Sequence, residues 1–217
     1  MRLLILGASG GCGQWAVKMA VEKGHEVTAL VRPESAYAPP SGVVVERGSA
    51  LDTAAVSRLL AGRDAVISCV GPQRTHPRNP WSPLRPPPGV AELSTRAVLA
   101  GLGDDRARRF AAISAAGVGE SLSATNGMMR WLIRHSSIGA MYADLEAMEN
   151  VLGRSGIDWI AVRPVTLVSA RPSSRARVLD RFRARSLIGR ADVAGWLVRA
   201  VADPGPIENR TPMIGWW

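Results

Sequence analysis

The stretch Leu3-Leu4-Ile5-Leu6-Gly7-Ala8-Ser9-Gly10-Gly11-Cys12-Gly13 decides the fold of this chain. Its first four residues form a continuous apolar run, which is typical of a strand buried on both faces. The glycines that follow are spaced G-x-x-G-x-x-G and lead into a helical segment with an apolar face. Gly7 permits a sharp turn, Gly10 lets the backbone approach a pyrophosphate, and Gly13 lets the helix pack closely on the strand. A turn without a ligand is the alternative, but the flanking strand and helix favour a dinucleotide-binding site.

Strand and helix patterns alternate along the rest of the chain. Apolar runs predict further strands at residues 26–31, 43–46, 65–69, 110–113, 159–162 and 212–214. Helical patterns fall at residues 52–62, 90–102, 141–152 and 191–201. This alternation predicts an α/β fold, a doubly wound parallel sheet (Rossmann fold). Arg163-Pro164 is expected to end the sixth strand, and a small C-terminal lobe is expected after it, within a single domain over residues 1–217.

Length and composition are those of one globular domain. The chain has 217 residues, of which 47% are hydrophobic and 21% charged. No apolar run approaches the roughly 18 residues that span a bilayer, and the start is too short for a signal peptide. We therefore expect a soluble cytoplasmic protein. Cys12 and Cys69 lie on different elements without metal-ligand spacing, so neither a disulfide framework nor a metal site is expected.

The net charge of +9 is carried almost wholly by arginine. Residues 163–199 contain nine arginines against Asp180 and Asp192. A basic stretch can attract phosphates, nucleic acid or acidic substrates, but a solvated arginine-rich face is the simpler interpretation. No nucleic-acid-binding module is visible. The expected partner is a small-molecule substrate, with no nucleic acid or membrane, in a monomer or homodimer.

The end of the second predicted strand bears on cofactor choice. An NAD site usually places an acidic residue there to hold the ribose hydroxyls, whereas this chain has Val31-Arg32-Pro33. A guanidinium fits a 2′-phosphate, and a carboxylate would repel it. Arg32 therefore favours NADP(H) over NAD(H), with an exposed strand-end arginine as the alternative.

Residues 71–89 form a proline-rich stretch that cannot be a helix or an inner strand. Loops of this length are often functional lids, so we expect it to border the nicotinamide end of the site. Trp81 on this loop could stack on a flat substrate or the nicotinamide, or it could simply anchor the packing.

Several segments together resemble the atypical short-chain dehydrogenase family, in particular its NmrA-like branch and the flavin and biliverdin reductases. They are Gly7-Ala8-Ser9-Gly10 with Gly13, Leu30-Val31-Arg32, Asp64-Ala65-Val66-Ile67 leading to Gly71, Ile113-Ser114-Ala115, Met148-Glu149-Asn150-Val151-Leu152, Ser155-Gly156-Ile157-Asp158-Trp159 with Val162-Arg163-Pro164, and Ile188-Gly189-Arg190-Ala191-Asp192-Val193-Ala194. The resemblance covers most of the chain. It implies a Rossmann fold that binds a nicotinamide cofactor.

The resemblance also implies roles for individual residues. Backbone groups of Cys69, Val70 and Gly71 would line the nicotinamide ribose. Ser114 would lie beside the nicotinamide and the substrate as a catalytic residue. Pro164 and Val165 would pass close to the carboxamide. The residue positions agree, because all three segments follow predicted strand ends, where open parallel sheets bind ligands.

Two departures from the family pattern concern the cofactor and the chemistry. The family often has Arg-Thr where this chain has Gly11-Cys12, which removes side-chain contacts to phosphate. Many members use a Tyr-x-x-x-Lys pair as proton donor. Tyr142 is the catalytic candidate here, but Glu146 follows at the lysine spacing, so the proton-transfer apparatus is absent or rebuilt.

The remaining candidate residues have simpler interpretations. His76 and His135 could supply a proton but are expected to be surface residues. Cys12 at a helix start could be a thiolate but is expected to pack under the phosphate loop. One predicted helix is expected to have a solvated or helix-stabilising face of Asp144, Glu146 and Glu149. The terminal pair, Trp216 and Trp217, is expected to be buried.

Two functions follow from these observations. The first is an NADPH-dependent oxidoreductase that transfers hydride to a carbonyl, flavin or other conjugated small-molecule acceptor. Acceptors of the last kinds can take a proton from water, so a missing Tyr-Lys pair does not prevent this chemistry. The second is a non-catalytic NADP(H)-binding redox sensor or regulatory protein of the NmrA-like type. Non-redox tailoring chemistry on the same fold is a third possibility.

Overall fold

Strands and helices alternate along the chain in a computed structural model that describes residues 1–85, 87–102, 109–173, 175–183, 185–205, 207 and 210–216. The strands are β1 (Arg2–Leu6), β2 (Glu26–Val31), β3 (Val44–Arg47), β4 (Ala65–Ser68), β5 (Arg109–Ile113), β6 (Asp158–Pro164), β7 (Thr166–Val168), β8 (Ala176–Val178), β9 (Leu187–Gly189) and β10 (Met213–Trp216). The helices are α1 (Gly13–Glu22), α2 (Thr53–Leu60), α3 (Val90–Leu102), α4 (Gly127–His135), α5 (Ile138–Gly153) and α6 (Arg190–Ala202), with a 3₁₀ turn at Gly119–Ala124.

Eight strands form one sheet in the order β3-β2-β1-β4-β5-β6-β10-β8. Strands β1 to β6 and β10 are parallel, and β8 pairs antiparallel with β10 at one edge. The order β3-β2-β1-β4-β5-β6 is that of a doubly wound dinucleotide-binding sheet. The predicted Rossmann fold is therefore confirmed, with an antiparallel edge strand that the sequence analysis missed.

The sheet is covered by helices on both faces, as the burial of four successive residues of β1 requires. Leu3 and Ile5 point into a core shared with α1 and α6, whereas Leu4 and Leu6 point into a core shared with α2, α3 and α5. All four side chains are fully buried. The continuous apolar run of β1 is thus explained by burial on both faces.

The C-terminal region differs from expectation in detail. Strand β6 does not end before Arg163-Pro164 but runs through Pro164, because a proline at the strand's last position lacks only the donor. The Pro164 carbonyl still accepts a hydrogen bond from the Ala116 N–H at 3.0 Å. Strands β7 and β9 form a separate two-stranded parallel sheet, and β8 and β10 join the main sheet.

The middle of the chain contains one unpredicted helix. Helix α4 stands directly before α5, which itself begins three residues earlier than expected, at Ile138. The side chain of Asn126 caps α4 by accepting a hydrogen bond from the Met129 N–H at 2.9 Å. None of the helices described is both long and apolar enough to cross a membrane.

Candidate functional site

The turn between β1 and α1 is shaped by glycines that no other residue can replace. Gly7 has φ +69°, and a Cβ there would lie 3.0 Å from the Cys69 carbonyl group. A Cβ on Gly13 would lie 2.2 Å from the Gly7 carbonyl oxygen, and one on Gly10 would lie 3.2 Å from the same oxygen. The ends of β1 and β4 and the start of α1 are therefore packed backbone against backbone, at the point where the strand order reverses.

Backbone donors remain free at this turn. The Gly10 N–H bonds to the Gly7 carbonyl at 3.0 Å, and the Gln14 N–H bonds to the Gly10 carbonyl at 3.0 Å. Between them, the N–H groups of Gly11, Cys12 and Gly13 have no acceptor in the part of the chain that the structure describes. They stand at the positive end of the α1 dipole, which suits a bound anion. This geometry fits a cofactor pyrophosphate.

The turn opens into a cleft of about 480 Å³. Such a volume lies in the range of ligand sites. The cleft lies at the carboxyl ends of β1, β2 and β4 and is closed on one side by the loop before α3. Its walls include Ser9, Val31, Arg32, Glu34, Ser49, Leu51, Cys69, Val70, Gly71, Gln73, Arg85, Pro87 and Val90. The structure thus brings together the predicted residues of the glycine turn, Arg32 and the Cys69-Val70-Gly71 segment.

Arg32 stands at the end of this cleft next to an acidic neighbour. Its Nε lies 3.3 Å from Glu34 Oε1, and both side chains are about two-thirds exposed, at 65% and 66%. Glu34 follows Pro33 and lines the same cleft as Arg32. An exposed ion pair of this kind is weak, so Arg32 stays available to a phosphate.

The two cysteines beside the turn are neutral packing residues. Burial raises the pKa of Cys12 to about 11, with a nearby Arg190 only partly opposing it. Burial also raises the pKa of Cys69 well above its usual range. The thiol of Cys12 therefore packs under the turn, as the simpler interpretation of its position predicts.

Ser114 follows β5 in a cluster of polar and charged side chains, which we call the Ser114 cluster (Ser114, Glu120, Glu149 and Arg163) and of which all but Glu120 are buried. Ser114 Oγ donates to Glu149 Oε1 at 2.5 Å. The Arg163 guanidinium donates to both oxygens of Glu149, at 3.0 and 2.5 Å, and also binds Glu120. Arg163 is 3% exposed. Ser114 does not line the cleft, and its hydroxyl is held by a carboxylate, so its role beside the nicotinamide stays a prediction.

The charges of the Ser114 cluster reinforce one another. Burial alone would lower the pKa of Arg163, but its hydrogen bonds to Glu149 and Glu120 outweigh burial and raise it. The hydrogen bond from Arg163 lowers the pKa of Glu120. The cluster is therefore a compensated ionic group, which holds the ends of β5 and β6 and the start of the 3₁₀ turn together.

Tyr142, on α5, is engaged by the backbone. Its hydroxyl donates to the Ala116 carbonyl at 2.9 Å, and burial raises its pKa to about 12. Glu146, the residue at the lysine spacing, is exposed. A phenol in this state is a poor proton donor at neutral pH. The structure shows the Tyr142 hydroxyl bonded to the backbone, and the catalytic role of Tyr142 stays a prediction.

The acidic residues of α5 correct another expectation. Of the two expected settings for Asp144, Glu146 and Glu149, a solvated or a helix-stabilising face, the solvated one is wrong for Asp144 and Glu149, which are both 8% exposed. The Asp144 carboxylate accepts the N–H groups of Ala91 and Glu92 at 3.1 and 3.0 Å, which caps α3 from another helix. Two of the three acids therefore stabilise the fold from inside.

Pro164 ends β6 and Val165 follows it, at the same edge of the sheet. The Val165 N–H bonds to the Ile214 carbonyl at 3.1 Å, and the Ser114 N–H bonds to the Val162 carbonyl at 2.7 Å. Ser114, Pro164 and Val165 therefore lie on neighbouring strands, as expected, but outside the lining of the cleft.

The proline-rich loop is folded back on itself and docked on α4. Arg74 and Leu84 form an isolated antiparallel bridge. Trp81 Nε1 donates to the His135 carbonyl at 2.9 Å, and its ring meets Trp131 edge-on at 6.3 Å. Trp81 is thus a packing anchor of the loop. Neither His76 nor His135 lines the cleft, whereas Gln73 and Arg85 from the loop do.

The end of the chain packs against α6. Trp216 Nε1 donates to Asp192 Oδ2 at 2.6 Å, and the Arg175 guanidinium lies 4.7 Å from the Trp216 ring centre. Trp216 is therefore half-buried within the domain. The expectation for Trp217 falls outside the described residues.

The match to a protein family now settles what the glycine turn belongs to. The model of a family described as NAD(P)H-binding matches residues 7–204. This chain belongs to that NAD(P)H-binding family. The match begins at Gly7 and covers most of the chain, which supports the binding of a nicotinamide cofactor.

Solved structures support the same fold. The anaerobilin reductase ChuY of Escherichia coli O157:H7 is 18% identical, with a TM-score of 0.74 over 99% of this chain and 96% of that one. SP1627 of Streptococcus pneumoniae TIGR4, a candidate NADH-flavin reductase, is 21% identical, with a TM-score of 0.74 over 100% of both chains. A short-chain dehydrogenase/reductase of Veillonella parvula DSM 2008 in complex with NADP is 15% identical, with a TM-score of 0.77 over 99% and 94%. At these identities the likeness establishes the fold.

Proposed function

We propose that this chain is an NADPH-dependent oxidoreductase that transfers hydride to a conjugated small-molecule acceptor. The observation that carries the proposal is a glycine turn with free N–H groups at Gly11 and Cys12, whose Gly7 and Gly10 line the same cleft as Arg32. The backbone of the glycine turn would hold the pyrophosphate, and the Arg32 guanidinium would hold the 2′-phosphate. Bound NADPH supplies the hydride.

The acceptor class is inferred from the state of the two candidate hydroxyls. The Ser114 hydroxyl donates its hydrogen bond to Glu149, and the Tyr142 hydroxyl donates its hydrogen bond to the Ala116 carbonyl. Ser114 Oγ keeps lone pairs with which it can accept a hydrogen bond and orient a ligand. Because neither hydroxyl is poised to donate, a ketone would lack the acid that its alkoxide needs. Flavins and other conjugated acceptors are favoured, since they can take the proton from water. The reductase names of ChuY and SP1627 support this class.

The test is steady-state NADPH oxidation with a panel of flavins, quinones and simple ketones. We expect turnover with conjugated acceptors and much slower turnover with ketones. Turnover restricted to ketones would contradict the acceptor class. Tight NADPH binding with no turnover on any acceptor would favour the second function, a redox sensor of the NmrA-like type. The internal hydrogen bonds of the Ser114 and Tyr142 hydroxyls also favour that function.

Ser114 is proposed as the residue that orients the acceptor. Ser114→Ala is expected to lower kcat more than it weakens NADPH binding, because the pyrophosphate is held elsewhere. Kinetics and binding of this variant are compared with those of Ser94→Ala, a buried serine on α3 whose hydroxyl bonds within its own helix. Equal losses in the two variants, or a loss of NADPH affinity alone, would remove Ser114 from the catalytic role.

A further inference from the structure

The glycine turn supplies backbone donors but no cation of its own. Residues 7–13 include no charged side chain. A pyrophosphate is a dianion, and Arg32, which follows β2, is assigned to the 2′-phosphate of the cofactor. A compensating charge at the pyrophosphate must therefore come from another element of the chain.

Arg190, the first residue of α6, lies directly across the turn. A Cβ placed on Gly11 would lie 2.8 Å from Arg190 Cδ and 3.1 Å from Arg190 Nε. The space beside Gly11 is thus filled by the Arg190 side chain, and only glycine leaves room for it there. The influence of Arg190 on the Cys12 thiol places its charge beside the same turn.

The Arg190 guanidinium is not neutralised by a protein carboxylate. Its Nη1 donates to Ser169 Oγ at 3.1 Å, and among the described residues no acidic side chain pairs with it. Asp192, two residues along α6, is occupied by Ser173 and Trp216. An uncompensated cation therefore stands next to the free N–H groups of Gly11 and Cys12. This combination selects an anion at that point.

We propose that Arg190 is a pyrophosphate-binding residue, supplied to the glycine turn from α6 across Gly11. The inference rests on the proposed cofactor site and deepens it. Arg190 reaches the turn from the segment after β9, on the Ser114 side of the molecule, whereas Arg32 approaches from β2. The two arginines have separate tasks: Arg190 serves the pyrophosphate that NADH and NADPH share, and Arg32 serves the 2′-phosphate that NADPH alone carries.

The test measures dissociation constants for NADPH and NADH with wild type, Arg190→Gln, Arg32→Gln and the double variant. Arg190→Gln is expected to weaken both cofactors by the same factor, about tenfold for the loss of a charge-assisted contact. Arg32→Gln is expected to weaken NADPH alone. The losses for NADPH should multiply in the double variant, because the two contacts are independent. Arg199→Gln on the same helix is the matched control and should bind both cofactors as wild type does.

A second variant guards against a misfolded Arg190→Gln protein. Gly11→Ala keeps Arg190 but forces its side chain away from the turn, so it should weaken both cofactors. In the Arg190→Gln background the same alanine should add little further loss, which a double-mutant cycle detects. Unchanged affinities in Arg190→Gln, or a loss confined to NADPH, would overturn the assignment of Arg190. Wild type that binds neither cofactor would instead overturn the proposed function, and this inference with it.

Discussion

The glycine turn and the Ser114 cluster lie at the same edge of the sheet but use their polar groups in opposite ways. Among the described residues, the glycine-rich turn leaves backbone N–H groups without an acceptor, at Gly11, Cys12 and Gly13. The Ser114 cluster joins a serine, two glutamates and an arginine to one another and keeps Arg163 almost fully buried. An open set of donors binds a ligand, whereas a closed set stabilises the fold. Cofactor binding and the orientation of the acceptor should therefore respond to different mutations.

Arg163→Met tests the closed region and should have the largest effect. Removing the cation leaves the buried Glu149 carboxylate uncompensated, which costs about 3–5 kcal/mol of unfolding free energy. The measurement is chemical denaturation, with the exposed Arg134→Met as control. The double variant Arg163→Met with Glu149→Leu should recover part of the loss, because no unpaired charge remains. A loss no greater than that of Arg134→Met would show that the cluster contributes nothing to stability.

Gly13→Ala tests the open region. Its Cβ would lie 2.2 Å from the Gly7 carbonyl oxygen, so the turn must distort. We expect a loss of stability of about 1–3 kcal/mol, typical of overpacking, and loss of measurable cofactor binding. Gly153→Ala is the control, since a Cβ there meets nothing within 4 Å. Retained NADPH affinity in Gly13→Ala would separate the turn from the cofactor and break the comparison.

The glycine turn, the open region, could be predicted from the sequence because its geometry requires particular residue types. Close backbone packing demands glycine at Gly7 and Gly13, and a strand buried on both faces demands the continuous apolar run before them. The position of Arg32 follows from the end of the next strand. These signals are local, so no tertiary contact was needed to interpret them.

The closed region could not be predicted, because its residues look the same in a solvated setting. Glu149 and Asp144 sit on a helix among other polar residues, and only the packing of α5 on β5 and α3 shows that they are buried. Arg163 stands at a position where the proline after it suggested a strand end. Glu149, the partner of Ser114, lies 35 residues along the chain, and Arg163, the partner of Glu149, lies 14 residues further. The three-residue strands β7, β8 and β9 are too short to carry a periodic pattern.

Arg32→Asp sharpens the comparison within the cleft. A charge-assisted contact to the 2′-phosphate contributes about 1.5–3 kcal/mol, roughly a ten- to hundredfold preference for NADPH. The aspartate should invert that preference by repelling the phosphate. The ratio of the dissociation constants for NADPH and NADH measures the effect, and Arg58→Asp on the exposed side of α2 controls for the change in net charge. An unchanged ratio would make Arg32 a surface arginine without a role in cofactor choice.

Glu34→Gln should produce the smallest effect and the one with the opposite sign. The Glu34 carboxylate lies 3.3 Å from Arg32 Nε and lines the same cleft. It would therefore compete with the 2′-phosphate for the guanidinium and would also repel the phosphate. Because exposed ion pairs are worth about 0.2–1 kcal/mol, the substitution should tighten NADPH binding by about two- to fivefold.

Three further measurements make the Glu34 result interpretable. NADH affinity should not change, since NADH has no 2′-phosphate for Glu34 to repel. The gain for NADPH should shrink in high salt, because salt screens exposed charges. Glu26→Gln, at the other end of β2, should alter neither cofactor. If Glu34→Gln instead weakens NADPH binding, Glu34 holds Arg32 in place for the phosphate. The pair would then be part of the binding site, and its two charges would compensate each other as those of the Ser114 cluster do.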